Sequence, residues 1–294
     1  MTCALECRVT RVWRDEFAAF AERKTREAIA AVTPRYTTEF VSPADGMIAI
    51  GNSWSASRFD GTFYLTEPPE KRRPACSLVF VQSADGNTVA ADPGSLGGGE
   101  TDKHLVYEGL SRVDADAVLA GAASARSDGM VFSIWHPKLV ELRCSFRKSR
   151  HPAQVVVTDG GDLPVERGLM FEEPTLPVYL ITKSPVVAGL RARLRDRPWV
   201  EVVDAGNPVS LPAAMRDLRK RGIRVISAIG GRRTAAALLR DGLISDIYLT
   251  TSPIDAGEPN TPFYQGPPLN LTRILLKRGK GPEEGVRFEH FVVS

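Results

Sequence analysis

Five consecutive residues, Gly230-Gly231-Arg232-Arg233-Thr234, hold the densest chemical potential in the chain. Two glycines let the backbone turn sharply and let a ligand approach bare main chain. The residues that follow, Thr234 to Arg240, carry alanine and leucine at helical spacing, and Gly242 is placed to stop the helix. A helix beginning here has unpaired N–H groups and a partial positive charge at its first turn, and Arg232 and Arg233 add two full charges. A phosphate or pyrophosphate suits that end. The plainer alternative is a strand–helix–strand crossover whose glycines only turn the chain and whose arginines are solvated. The pair is not a G-x-G-x-x-G fingerprint, so an ordinary dinucleotide-binding assignment does not follow from it.

A second polar loop, Gly121-Ala122-Ala123-Ser124-Ala125-Arg126-Ser127-Asp128-Gly129, follows an apolar run. Ser124 and the planar, always-charged fork of Arg126 suit a phosphate, and Asp128 could accept hydrogen bonds from a heterocycle's amino or amide group. Against this stands a local reading, with Ser124 capping a turn and Arg126 and Asp128 paired. Ser83-Ala84-Asp85-Gly86 and Thr158-Asp159-Gly160-Gly161 are two further turns at the ends of apolar runs. Nucleophilic or metal chemistry has little to build on. There is no G-x-S-x-G elbow, no H-E-x-x-H and no clustered carboxylate set, and none of His104, His136, His151 and His290 has a partner identifiable by spacing.

These loops need strands to position them. Val225–Ile229 reads as a strand buried on both faces, Cys76–Gln82, Ala117–Gly121, Ala153–Thr158, Val178–Thr182 and Val200–Val203 read as further strands, and Ile247–Thr251 alternates into another. Helices are expected from Thr101 or Asp102, either placed as a cap, to about Arg112, and over Val187–Arg195 and Leu211–Arg221. Strands near 271–277 and 286–293 close the chain as an antiparallel hairpin. The order predicts an α/β fold, a mostly parallel sheet with helices on both faces. In such sheets ligands sit beyond the carboxyl ends of the strands, so the four loops are expected to line one crevice. Upstream, residues 13–32 read as an amphipathic helix ended by Thr33-Pro34. Met47–Ile50 and Thr62–Leu65 read as short strands, and Glu67–Pro74 as a linker.

Composition fits a globular chain: 294 residues, 43% hydrophobic and 25% charged. A net charge of +3 is too modest to argue for nucleic acid, and no apolar run is long enough to span a bilayer. Cys3, Cys7, Cys76 and Cys144 are scattered, which predicts free cytoplasmic thiols rather than a zinc site.

Taken in order, the motifs resemble a known family. Ser83-Ala84-Asp85-Gly86 is followed by Asp114–Gly121 with Ser124, Arg126 and Asp128. His151-Pro152 precedes a Val-rich strand, and Gly230-Gly231 precedes Gly242–Asp246 and Pro253. This resembles the reductase domain of riboflavin biosynthesis, a branch of the dihydrofolate-reductase-like fold, from about Pro74 onward. The resemblance implies a cytoplasmic NADPH-dependent reductase, usually a homodimer. Its reaction opens the ribose of a phosphoribosylaminopyrimidine to a ribitol chain by hydride transfer. It places Gly121, Ala122, Ser124, Arg126, Thr158, Gly230, Gly231, Arg232, Arg233 and Thr234 on the cofactor. Arg126 or Arg233 would meet the 2′-phosphate. Ser83, Asp85 and Asp128 would face the substrate, with Asp85 and Asp128 the catalytic candidates. It divides the chain into an extension, 1–72, and a reductase domain, 73–294. The His-x-Glu and Pro-Cys-x-x-Cys ligands of the zinc deaminase often fused to this domain do not occur. Asn87 stands where the family carries a lysine, Ile229 where it carries an acid, and Gly129 where a proline follows Asp128. The segment Val131–Leu142 also differs from the usual substrate loop. These departures leave open a same-fold reductase of a specialised metabolite, or a nucleotide-binding protein without catalysis.

Overall fold

The computed structural model describes residues 2–66, 72–90, 93–126 and 129–294, with side chains described from Asp15 onward. Seven parallel strands form most of one sheet: β4 (Ala75–Gln82), β5 (Ala117–Gly121), β6 (Ala153–Val157), β7 (Val178–Thr182), β8 (Val200–Asp204), β9 (Val225–Ala228) and β10 (Asp246–Thr251). The expected hairpin, β11 (Leu271–Arg278) and β12 (Arg287–Val293), pairs antiparallel with itself and with β10. A further strand from the N-terminal segment, β1 (Thr37–Val41), pairs antiparallel with β11 and brings the sheet to ten strands, in the order β1-β11-β12-β10-β4-β9-β5-β6-β7-β8.

The apolar runs are continuous because both sheet faces are covered. On β5, Val118 and Ala120 enter one core and Ala117 and Leu119 the other. The second core is closed by α7 (Leu211–Lys220) and α8 (Arg232–Arg240), whose Ala235, Leu238 and Leu239 are buried at helical spacing. The first core takes in α6 (Ser184–Arg193) through Val187 and Leu190, and much of the N-terminal segment. There α1 (Thr2–Ala30) sets Phe20 edge-on to Trp135 at 5.4 Å, and Lys24 meets Glu108 at 2.9 Å. A small two-stranded sheet, β2 (Met47–Ile50) and β3 (Phe63–Thr66), with α2 (Ser53–Phe59) between, buries Phe59 and Phe63 beside Tyr248 and Phe288.

Two local expectations change. The helix after Gly99 is not one α-helix to Arg112 but a π-helical segment, Thr101–Tyr107, and a single 3₁₀ turn, Leu110–Arg112. Neither Thr101 nor Asp102 caps it. Glu100 takes that place in helical conformation without a side-chain cap, because the chain is already helical one residue earlier. In the segment that differs from the usual substrate loop, Val131, Phe132, Ile134 and Trp135 are buried core residues, and α4 (Pro137–Ser145) follows them.

Candidate functional site

The parallel strands β4, β9, β5 and β6 are neighbours, so their carboxyl ends put the four polar loops along one edge. Two of those loops touch through their backbones. Gly121 N–H donates to the Gly230 carbonyl at 3.3 Å, and a Cβ on Gly121 would stand 2.8 Å from Thr234 Oγ1. Gly231, with φ 78°, holds the cap position of α8 and supplies no capping side chain. The first intrahelical bond is Ala235 N–H to the Gly231 carbonyl at 2.9 Å, so the amides of Arg232, Arg233 and Thr234 precede the helical ladder. The helix begins two residues before the sequence indicated. Arg232 Nε donates to the Pro262 carbonyl at 2.9 Å, while Arg233 is exposed. Half-buried Ser124 lies in α3 (Ala122–Ala125), its Oγ 3.8 Å from a Cβ placed on Gly230.

Arg126 leaves this turn and is 55% exposed. Its described partner is Asp162, with Nη2 3.2 Å from Oδ2. The two residues, with Leu163, Pro164, Glu166 and Arg167, line a cleft of about 420 Å³. Thr158 is buried, and its hydroxyl accepts from Gly161 N–H at 3.1 Å, so it shapes the turn after β6. Asp128 lies outside the described residues.

Just past β4, Ser83 is fully buried. Its hydroxyl donates to Asp85 Oδ1 and lies 2.8 Å from the Ala256 carbonyl. That bond, with others from Asn87, holds the exposed Asp85 carboxyl below its ordinary range. Asn87 is a two-sided clamp. Its Nδ2 donates to Asp85 Oδ2 at 2.5 Å and its Oδ1 accepts from Thr261 N–H at 2.9 Å. Asp85 is thus presented at the edge, and Ser83 and Asn87 position it from beneath. Ile229, before the glycine pair, is 6% exposed in the core and offers the crevice no charge.

Sequence reasoning passed over two contributors. Asp162 gave no motif of its own, standing in a Gly/Asp run. The segment 254–262, past Pro253, bridges the crevice. Ala84 N–H donates to Ile254 O at 2.8 Å, Thr261 holds Asn87, and Pro262 O holds Arg232. Its Gly-, Pro- and Asn-rich composition announced a loop but not its partners. Among the described residues no group of three or more His, Cys, Asp or Glu is arranged to hold a metal ion, and no helix is long and apolar enough to cross a membrane.

The arrangement joins a helix end without a side-chain cap, a glycine turn packed against the neighbouring loop, and a presented carboxylate along one sheet edge. Known proteins share the framework. A pyrimidine reductase-like protein from Corynebacterium diphtheriae superposes with a TM-score of 0.62 at 22% identity, over 75% of this chain and 92% of its own. The riboflavin biosynthesis reductase Rib7 of Saccharomyces cerevisiae does so with 0.54 at 14% identity, over 78% and 93%. In sequence, the 2,5-diamino-6-ribosylamino-4(3H)-pyrimidinone 5′-phosphate reductase of Archaeoglobus fulgidus is 22% identical over 151 residues, 51% of this chain and 68% of the relative. The fold is the one these two reductases share. Residues 74–281 match the profile of the RibD C-terminal domain, and with that match, over this sheet and these loops, the chain belongs to the RibD C-terminal reductase family.

Proposed function

We propose that the chain is an NADPH-dependent reductase of a ribosylaminopyrimidine phosphate, the substrate class printed in the name of the Archaeoglobus relative. The cradle made by Gly121, Gly230 and Gly231 at the head of α8 carries this reading. Gly121 lets the two loops pack, Gly230 and Gly231 leave backbone with ordinary clearance, and the first amides of α8 have no side-chain cap where a pyrophosphate would lie, next to Arg232 and Arg233. Ala122, Ser124, Thr158 and Thr234 complete the dinucleotide's surroundings, and Arg126 or Arg233 takes its 2′-phosphate. Bound there, the reduced nicotinamide supplies the hydride, and the protein supplies position and electrostatics. Ser83, Asp85 and Asp128 belong to the substrate side of this reading. A homodimer and a cytoplasmic location come with the family resemblance, as does the division into an extension, 1–72, and a reductase domain, 73–294. Asn87, buried in place of the family's lysine, and Ile229, buried in place of its acid, favour as a second reading a nucleotide-binding protein that keeps the fold without catalysis.

Titration with NADPH and NADH, followed by tryptophan fluorescence, tests the cofactor assignment. The double variant Arg126→Ala/Arg233→Ala should weaken NADPH by roughly tenfold or more, the loss of a charge-assisted contact worth about 1.5–3 kcal/mol, and NADH much less. Equal loss for both dinucleotides, or none, removes these arginines from the 2′-phosphate.

A further inference from the structure

The glycine run 97–99 and the helical segment Thr101–Tyr107 close over the carboxyl ends of β4 and β10. Side chains are excluded along that run. A Cβ on Gly97 would stand 2.9 Å from Ile254 Cδ1, one on Gly98 2.7 Å from Val81 Cγ2, and one on Gly99 inside contact distance of the Glu283 carboxylate. Asp102 emerges directly from this loop. Its Cβ and Oδ2 lie 3.2 and 3.3 Å from where a side chain on Gly98 would begin. It receives a hydrogen bond from Thr250, and Thr250 lies opposite Val81, two residues before Ser83. Its neighbours Thr101, Thr250 and Glu283 are all buried, whereas Asp102 itself keeps partial solvent access. Glu283 is held by Tyr36 Oη at 2.9 Å and Thr101 N–H at 3.0 Å. So one carboxylate of this pair is fixed in the scaffold, and the other lies at the carboxyl ends of β4 and β10, where β4 runs on into the Ser83–Asp85 turn.

We propose that Asp102 is the proton donor of the reduction, giving its proton to the ring oxygen of the substrate's ribosylamine. This rests on the reductase reading above. The bond between carbon 1 and the ring oxygen breaks with its electron pair on oxygen, and the oxygen takes the Asp102 proton to become a hydroxyl. Carbon 1 takes the hydride that a reduced nicotinamide supplies, leaving the oxidised nicotinamide as co-product. The Asp102 carboxylate then regains a proton from water. A group in this role must hold its proton near neutrality. Burial pushes the Asp102 carboxyl up to about 7, with the Thr250 hydrogen bond opposing and the Glu283 charge assisting. The other titratable groups that face it are Tyr36, ahead of β1, and Tyr107, on its own segment.

The full chain with Asp102→Asn is the test, assayed with the Archaeoglobus relative's ribosylaminopyrimidine phosphate and its deaminated uracil counterpart. NADPH affinity and cooperative unfolding should persist, while kcat falls on the order of 10²–10⁴-fold. Wild-type kcat should fall as pH rises through about 7, and that limb should be missing in the variant. Thr250→Val should move the limb to higher pH. Infrared difference spectra between wild type and Asp102→Asn, which need no turnover, should show one protonated carboxyl at pH 6 that is lost by about pH 8. A variant that keeps wild-type kcat and pH profile overturns the assignment, as does a carboxyl already ionised at pH 6. A wild-type protein that binds neither dinucleotide and reduces neither pyrimidine instead overturns the reductase reading, and the proton-donor role falls with it.

Discussion

Asn87 works beneath Asp85 from both ends of one side chain. Its amide donates to Asp85 with one end and accepts from Thr261 N–H with the other, and it is 6% exposed. A lysine has donors only, so Asn87→Lys would leave the Thr261 amide without its acceptor and push a charge into a packed place. The expected cost is about 1–3 kcal/mol, read as a lower Tm, with no gain in turnover. An unchanged Tm would mean the clamp contributes nothing. Asp102 makes a second prediction through linkage. Its folded-state pKa of about 7 lies above the unfolded value, near 3.9, so the folded chain holds the proton more tightly between those limits. Stability therefore declines as pH rises through that window, and the penalty is complete above pH 7. Asp102→Asn, which carries no charge, should gain Tm over the wild type at pH 8 and gain less at pH 5. Equal differences at both pH values would place the carboxyl's titration elsewhere.

The elements that carry the site were legible to different degrees, for physical reasons. Strands buried on both faces must be continuous apolar runs, and β4 to β10 could be read almost to the residue. β1 was not foreseen, because Thr37-Thr38-Glu39-Phe40-Val41 is a half-exposed edge strand without that signature. The head of α8 was placed two residues late, since a glycine cap leaves no side-chain signal. Asp102 looked like a cap because an acid near a helix start usually is one. Only the packing of Gly98 and Thr250 around it gives it another role. The four loops of the crevice were visible from their glycines, whereas the bridge at 254–262 depends on contacts far apart in sequence. The head of α8 also makes a prediction. A Cβ on Gly231 would meet its neighbours at 3.5 Å or more, an ordinary contact, so space is not the constraint there. Conformation is: at φ 78° an L side chain is strained by roughly 1–2 kcal/mol. Gly231→Ala should lower Tm by that amount and weaken NADPH binding by turning the first amides of α8. A variant with wild-type stability would show that the turn relaxes without cost.

At the scale of the whole molecule, the segment before Pro74 belongs to the same core as the site. Tyr36, Phe59 and Phe63 are each at most 1% exposed, in one cluster with Val79, Tyr248 and Phe288. Three aromatic side chains bury roughly 450–750 Å², worth about 11–19 kcal/mol as an upper bound. That gross figure is of the same order as the whole net stability of an ordinary domain, about 5–15 kcal/mol. The polar contacts agree. Buried Asp246 accepts from Thr66 Oγ1 at 2.6 Å while paired with His290 at 2.8 Å. Lys277, 1% exposed with burial lowering its pKa to about 8, donates to Thr38 Oγ1 at 2.8 Å and to Asp60 O at 3.0 Å. Removing residues 1–72 would strip acceptors from a buried ammonium, open the β11 edge to pairing with other chains, and expose the aromatic cluster. It would also remove Tyr36, which holds Glu283 beside Asp102. A fragment of residues 73–294 is therefore expected to aggregate or to lack a cooperative unfolding transition, measured by size-exclusion chromatography and circular dichroism. A monodisperse fragment that unfolds cooperatively and keeps full NADPH affinity would show instead that the extension is dispensable, and that the parallel sheet with its C-terminal hairpin folds alone.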